Sequence, residues 1–438
     1  MPANVEIDFL KGHHSIDLLP TDKLSKAYNE VLKKDYKEYE ADHLNVHPLT
    51  YGTNTGNLDV RESIARWMEV CYSTINIDPD TINLTGGASY GCSNILNSVT
   101  DTKMITRRAY LVTPTYFLIN AVFLDAGFQD KITSIKETPN GEDYEIDLKA
   151  LQKSLEFYDQ GEEDATADKE INICFDPCTR TDRKFYRYVI YMVPTYSNPG
   201  GISYSIKTRT RLIELARKHD MLIISDDVYD ILNYNDFNTI KKLPYLDRDT
   251  KPSWSQYGNT ISNATFSKIV APGLRVGWQE TATPLLAQQL AKSGANMSGG
   301  TPGQLSTLII RSLIESKDLD TIVERYKSVF KKRCLKLLYC IKTYLPKCCK
   351  IYGGHGGFFV WVKIDSDIDH REIVAILKDK YNILLGLGDL FEVVGDEKGW
   401  GKSFVRLSLS FLNEDQIEFG IKKWGALLKE RHRHLFEN

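Results

Sequence analysis

The sequence predicts an α/β protein built on a mainly parallel sheet. Three observations carry that expectation: short apolar runs recur, helix-like segments separate them, and polar turn residues close each run. Ala109-Tyr110-Leu111-Val112 leads into Thr113-Pro114, Tyr188-Val189-Ile190-Tyr191-Met192-Val193 into Pro194, and Met221-Leu222-Ile223-Ile224 into Ser225-Asp226-Asp227. Short β-branched and aromatic runs bounded in this way read as buried strands. Between the last two, Lys207 to Asp220 places Leu212, Leu215 and Ala216 along one helix face. Strands alternating with helices give a parallel sheet covered on both sides. Ligands of such folds gather at the carboxyl ends of the strands.

Tyr158 to Tyr188 breaks this rhythm. It is acidic over 159–164 and then basic at Arg180, Arg183, Lys184 and Arg187. It exceeds the few residues that usually join a helix to a strand, so a polar surface insertion is expected over 158–188. From Gln304 onward the pattern is mostly helical, with Leu305 to Leu345 the longest such stretch. Strand-like pieces follow at Gly357 to Val362 and Ser403 to Leu409. They predict a second, smaller α/β domain. The expected organisation is an N-terminal segment (1–45) joining the small domain, a large domain (46–310), and the small domain itself (311–438).

The chain of 438 residues is long enough for two domains. Its formal net charge of −3 gives no reason to expect a nucleic acid or an anionic membrane as partner. No apolar run approaches the ~20 residues of a spanning helix. Met1 to Leu10 carries Glu6 and Asp8 and resembles neither a secretory signal nor a transit peptide, so a cytoplasmic location is expected. Of eight scattered cysteines, Cys174 and Cys178 lie near each other without a second pair at zinc-ligand spacing, and no metal is expected.

The chemistry concentrates between Asn263 and Trp278. Thr265 and Ser267 place hydroxyls just ahead of Lys268, and Arg275 follows. A phosphate needs such donors, and a lysine beside a fixed cation is pushed toward its neutral, nucleophilic form. In Ser225-Asp226-Asp227-Val228-Tyr229 a carboxylate at a strand end either caps a helix or keeps a ring nitrogen protonated. Asn198-Pro199-Gly200 is a turn or presents an amide donor. Thr85-Gly86-Gly87-Ala88-Ser89 reads as strand, turn and helix start, where free N–H groups attract phosphate. Tyr116 follows a strand and is either a core residue or a stacking ring. Arg406 stands in the apolar run Phe404 to Ser408 and needs an anion, from the protein or from a ligand.

The string from Thr265 to Trp278 resembles the SFSK-x-x-APGLR-x-GW signature of class I/II pyridoxal 5′-phosphate aminotransferases of fold type I. Within them the likeness is nearest to the kynurenine/2-aminoadipate aminotransferase branch. The resemblance implies a large domain with a mainly parallel seven-stranded sheet. It makes Lys268 the Schiff-base lysine, with Asp226 on the ring nitrogen and Tyr229 and Asn198 on the ring hydroxyl. Thr265, Ser267, Arg275, Ser89 and the N–H of Ala88 would hold the phosphate, and Tyr116 would stack on the ring. Arg406, Asn198 and Gly12 would bind substrate. Tyr51, in a Y-x-x-x-x-G motif, would reach the neighbouring subunit's phosphate, which implies a homodimer with shared active sites. Ser298 to Pro302 resembles a second cross-subunit loop. Departures are Thr265 for Ser, Val228 for Pro, Gly200 for Thr, Ala88-Ser89 for Ser-Gln, and the paired His13-His14 in the N-terminal segment.

The implied reaction moves an amino group between an L-amino acid and a 2-oxo acid such as 2-oxoglutarate. 2-Aminoadipate leads as donor, with aromatic amino acids and kynurenine next. The same residues would serve a β-eliminating C–S lyase. A non-catalytic cofactor-binding regulator is the alternative of another class, and it would need a DNA-binding domain that the residues before Tyr51 do not provide.

Overall fold

A computed structural model of the chain describes residues 6–34, 47–140, 143–160, 170–235, 239–364 and 368–437. Strands among these residues, in order, are β1 (Ile7–Asp8), β2 (Ile82–Thr85), β3 (Arg108–Thr113), β4 (Ile132–Asn140), β5 (Asp143–Ile146), β6 (Ile173–Asp176), β7 (Thr181–Lys184) and β8 (Tyr188–Met192). They continue with β9 (Met221–Asp226), β10 (Thr260–Thr265), β11 (Gly277–Thr281), β12 (Cys349–Gly353), β13 (Phe359–Ile364), β14 (Ile383–Leu384), β15 (Gly386–Leu387) and β16 (Phe404–Ser408).

The large sheet runs β2-β11-β10-β9-β8-β3-β4-β5. Neighbours from β10 to β4 pair in parallel, while β11 is antiparallel to both its neighbours. Every residue of β8, β9 and β10 is buried, as expected for central strands covered on both faces. The sheet has eight strands where seven were expected. The additional strand is β5, which returns antiparallel along the far end of β4. In sequence Asn140, the last residue of β4, is followed by Gly141, and Asn-Gly is a short-range hairpin signal. The helix Ile206–Lys218 covers the sheet with Leu212, Ile213 and Ala216, and Ser205 caps it by accepting from the Thr208 N–H.

The insertion is only partly a polar loop. Residues 161–169 lie outside the described residues, but β6 and β7 form an antiparallel hairpin. Lys184 anchors it: the side chain is 1% exposed and its Nζ lies 2.5 Å from Asp220 Oδ1 and 2.6 Å from the Ile171 carbonyl. A buried ammonium requires such partners, so this basic residue is a fastening and not a solvated charge.

A smaller sheet runs β12-β13-β16-β15. The helical stretch Leu305 to Leu345 consists of two helices, Gln304–Glu315 and Asp318–Tyr344, with Lys317 between them at φ +60°. Of the N-terminal segment, residues 6–34 are described; 1–5 and 35–45 are not. β1 pairs in parallel with β14, far along the chain. The Phe9 N–H donates to the Leu384 carbonyl, and the Phe9 carbonyl accepts from the Ser408 N–H, each at 2.9 Å. Gly420, on the helix Glu414–Arg431, makes room for the Phe9 ring; a Cβ there would lie 2.4 Å from it.

Candidate active site

The strand ends deliver the polar groups. β9 stops at Asp226 and β10 at Thr265, the latter two and three residues before Ser267 and Lys268. Tyr116 and Asn198 stand shortly beyond the ends of β3 and β8, and the helix Ala88–Val99 starts just after β2. These ends surround a cavity of about 300 Å³. Lys268, Asp226, Tyr229, Asn198, Tyr116, Ala88, Ser89, Thr265, Ser267, Arg275, Arg406 and Gly12 all line it. Of the residues assigned to the site from sequence only Tyr51 does not; it is 78% exposed, on the protein surface.

Lys268 Nζ donates to the Gly12 carbonyl at 2.9 Å. Burial pushes its pKa down to about 8, and the nearby positive charges of Arg406 and Arg275 add to that, against the opposing pull of Asp226. Asp226 moves the other way. Burial raises its pKa to about 7, although Tyr191 OH donates to it at 2.6 Å and Asn263 Nδ2 at 3.0 Å. The site therefore brings together a buried amine and a buried carboxyl that both change charge near neutral pH. Tyr229 is buried against Phe358 and Phe359, and its phenol is held well above the ordinary range, so it remains a proton donor.

Arg406 is 2% exposed. Its guanidinium donates to Asn198 Oδ1 at 2.7 Å and to the Leu10 carbonyl at 2.5 Å. It packs 4.2 Å from the Phe359 ring centroid and 4.7 Å from that of Phe391. Among the described residues no carboxylate pairs with it, and Nε is buried without a partner. Burial lowers its pKa to about 10. A protein carboxylate, one of the two partners foreseen from sequence, is thus not what neutralises it among these residues.

Elsewhere in the cavity lining, Thr265 Oγ1 and Ser267 Oγ lie 2.9 Å apart, and Arg275 reaches Ser267 Oγ at 3.4 Å and the Gly86 carbonyl at 3.0 Å. Gly87, with φ +101°, precedes the helix Ala88–Val99; a Cβ there would lie 2.7 Å from Arg275 Nη2. Glycine is needed for both the conformation and the space. Helix N–H groups, two hydroxyls and a guanidinium together form an anion cradle.

Two contributors, Asn263 and Tyr191, had no role in the sequence reading. Asn263 ties Asp226 to the Ala88 carbonyl, and Tyr191 supports Asp226 from β8. His14 is buried, donates through Nε2 to the Lys268 carbonyl at 2.9 Å, and is held neutral by burial, with its pKa lowered to about 3. His13 is exposed and packs edge-on to Phe411. Asp227 caps no helix; it accepts from the Ser225 hydroxyl at 2.7 Å, because the chain beyond it bends instead of coiling.

A model of the family Aminotransferase class I and II matches residues 25–423. The chain belongs to this family. An uncharacterized Saccharomyces cerevisiae protein is 43% identical over 437 residues, covering 97% of each chain. Aromatic-amino-acid aminotransferase 1 of Thermococcus litoralis is 25% identical over 429 residues, covering 97% of this chain and 88% of its own. The crystal structure of LysN, the alpha-aminoadipate aminotransferase of Thermus thermophilus, superposes with a TM-score of 0.73 at 20% identity, over 97% of this chain and 92% of that one. That likeness is one of fold.

The cofactor of this aminotransferase-family chain is pyridoxal 5′-phosphate. The cavity fits it in chemistry. Its lining combines a cradle of donors, a lysine with a depressed pKa, and a buried carboxyl that forms no ion pair among the described residues. Among the described residues no group of three metal-ligating side chains occurs, and no helix is long and apolar enough to cross a membrane.

Proposed function

We propose that the protein is a pyridoxal 5′-phosphate-dependent transaminase exchanging an amino group between a large apolar or aromatic L-amino acid and a 2-oxo acid. The observation that carries the reaction is the pairing of Lys268 with Arg406 in one cavity, an amine poised near neutrality and a buried guanidinium with no carboxylate partner among the described residues.

Thr265, Ser267, Arg275, Ser89 and the Ala88 N–H would hold the cofactor phosphate. Asp226 would hold a proton at the ring nitrogen, Tyr229 and Asn198 would donate to the ring hydroxyl, and Tyr116 would lie against the ring. Bound pyridoxal 5′-phosphate supplies an aldehyde to carry the amino group and a ring to accept charge from the substrate Cα. Arg406 would grip the substrate carboxylate in a planar fork, with Asn198 steering it. Lys268, near its pKa at neutral pH, would take and return the proton at the substrate Cα.

The side-chain reading follows from the rest of the lining. Once the residues given to the cofactor and to the substrate carboxylate are set aside, the remaining described lining is Leu10, Gly12, Phe117, Leu118, Val193, Val228, Pro272 and Phe359, without a further cation. A distal carboxylate, as in 2-aminoadipate, would meet apolar surface there, whereas an aromatic or branched side chain would bury well. The Thermococcus litoralis relative named for aromatic amino acids agrees with this preference. The readings of a homodimer, with Tyr51 serving the partner's site from its exposed position, of domain limits at 45 and 310, and of a cytoplasmic location belong to the same proposal.

The test is a screen of purified holoenzyme against single amino acids, following absorbance of the bound cofactor, then 2-oxoglutarate. Phenylalanine, tyrosine and kynurenine should react faster than 2-aminoadipate. Release of ammonia and a 2-oxo acid without an acceptor would identify a lyase, and absence of any half-reaction would identify a binding protein.

A further inference from the structure

One face of the small sheet lines two cavities. Side chains alternate along a strand, so Phe359, Trp361 and Lys363 of β13 share a face. Arg406 and Phe404 of β16 stand directly opposite Trp361 and Lys363 on that face. Phe359 and Arg406 enter the cavity described above. Trp361, Lys363 and Phe404 enter a second one, of about 370 Å³, closed from the large sheet by Thr113-Pro114 and Lys136-Glu137. That size suits a small organic molecule.

Its walls have a consistent chemistry. Trp361 and Phe404 stack with ring centroids 5.1 Å apart at 17°, and Trp400 stands edge-on to both at 6.3 and 5.6 Å. Lys136 and Lys402 line the cavity too, and neither forms an ion pair among the described residues. The one acid among the described lining residues is Glu137, which is 5% exposed. Tyr204 OH donates to its Oε1 at 2.5 Å, and no other side-chain hydrogen bond reaches it among the described residues. Burial raises its pKa to about 8, so near neutral pH it is largely a neutral carboxylic acid and can donate. The Thr113 hydroxyl is buried without a hydrogen-bond partner among the described residues. Aromatic walls, three lysines (Lys136, Lys363 and Lys402) and two further donors together select a flat ring bearing a negative charge.

We propose that this cavity is a second ligand site that takes a small aromatic carboxylate, its ring against Trp400 and Trp361 and its carboxylate toward Lys136 and Lys402. None of the residues that define it takes part in the reaction proposed above, so the site stands or falls independently of that reading.

Indole-3-acetate is the probe, titrated calorimetrically into holoenzyme. Four proteins are compared: wild type, Arg406→Gln, Trp400→Ala and Lys402→Ala. Arg406→Gln removes the anion clamp of the first cavity and should leave probe binding in place. Trp400→Ala and Lys402→Ala should each weaken it about tenfold, with cofactor absorbance and amino-acid turnover as in wild type. The proposal is overturned if both of those variants bind like wild type, if binding disappears in Arg406→Gln alone, or if wild type shows no saturable binding. Lys402 is exposed, so its variant remains informative should Trp400→Ala fold poorly.

Discussion

The charge state of Lys268 can be measured directly in the apoprotein. Its pKa of about 8, against an ordinary 10.5, corresponds to about 3 kcal/mol favouring the neutral amine. At pH 7 this enlarges the neutral, nucleophilic fraction about 300-fold. The rate at which apoprotein takes up pyridoxal 5′-phosphate on Lys268, trapped by borohydride and followed by mass, should rise with pH and level off above an apparent pKa near 8. Two substitutions test the cause. Arg406→Gln removes a cation that lowers the lysine pKa, so the curve should move to higher pH. Asp226→Asn removes the anion that opposes this, so the curve should move to lower pH. The same shift enters apoprotein stability. Between about pH 8 and 10.5 the unfolded chain binds more protons at this residue than the folded one, so its contribution to stability rises with pH across that window. A curve that levels off only above pH 10, or variants that shift it the same way, would refute the electrostatic account.

Other expectations follow from the same geometry. Arg406→Gln should raise the KM for the amino acid about 30-fold or more, the loss of a buried charged contact worth about 2 kcal/mol, and Arg406→Lys should restore little because an ammonium lacks the planar fork. Gly87→Ala should weaken cofactor affinity about tenfold in a spectroscopic titration, since φ is +101° and the added methyl meets Arg275. His14→Phe should lower stability by about 1 kcal/mol or more by leaving the Lys268 carbonyl unpaired. With its pKa depressed to about 3, His14 makes wild type lose stability as pH falls from about 6.5 toward 3, and denaturant titrations of the variant should show a shallower loss.

Strands β3, β8 and β9 were legible because buried parallel strands are continuous apolar runs, and polar residues at or beyond their ends stand out, Asp226 and Asn198 among them; β10, with Ser262 and Asn263 inside it, is no such run. Arg406 was legible for the converse reason, a charge in an apolar run. What stayed hidden was support by residues of ordinary type for their surroundings. Tyr191 sits in β8 among other buried residues, and nothing local marks its hydroxyl as reaching Asp226 on the neighbouring strand. Asn263 lies inside the most informative string but carries no charge, and its partners Asp226 and Ala88 come from two other segments. In sequence either of His13 and His14 could read a distal substrate carboxylate or face solvent; His14 is instead buried because Tyr326, Phe330 and Phe358 close around it, three rings more than three hundred residues away in sequence. β5 went unread although a hairpin signal was present, because it is short and two of its four residues, Asp143 and Glu145, are acidic.

The Phe9 backbone lies between Leu384 and Ser408, and the Leu10 carbonyl meets Arg406 across 396 positions of chain. Phe9 and Leu10 therefore find their places only after the 396 positions that separate Leu10 from Arg406 have been made. Loop-closure entropy makes such distant pairing slow to form. The large sheet can assemble earlier from nearer contacts, so the site acquires its floor before its roof, and competence to bind substrate is among the last properties the nascent chain gains.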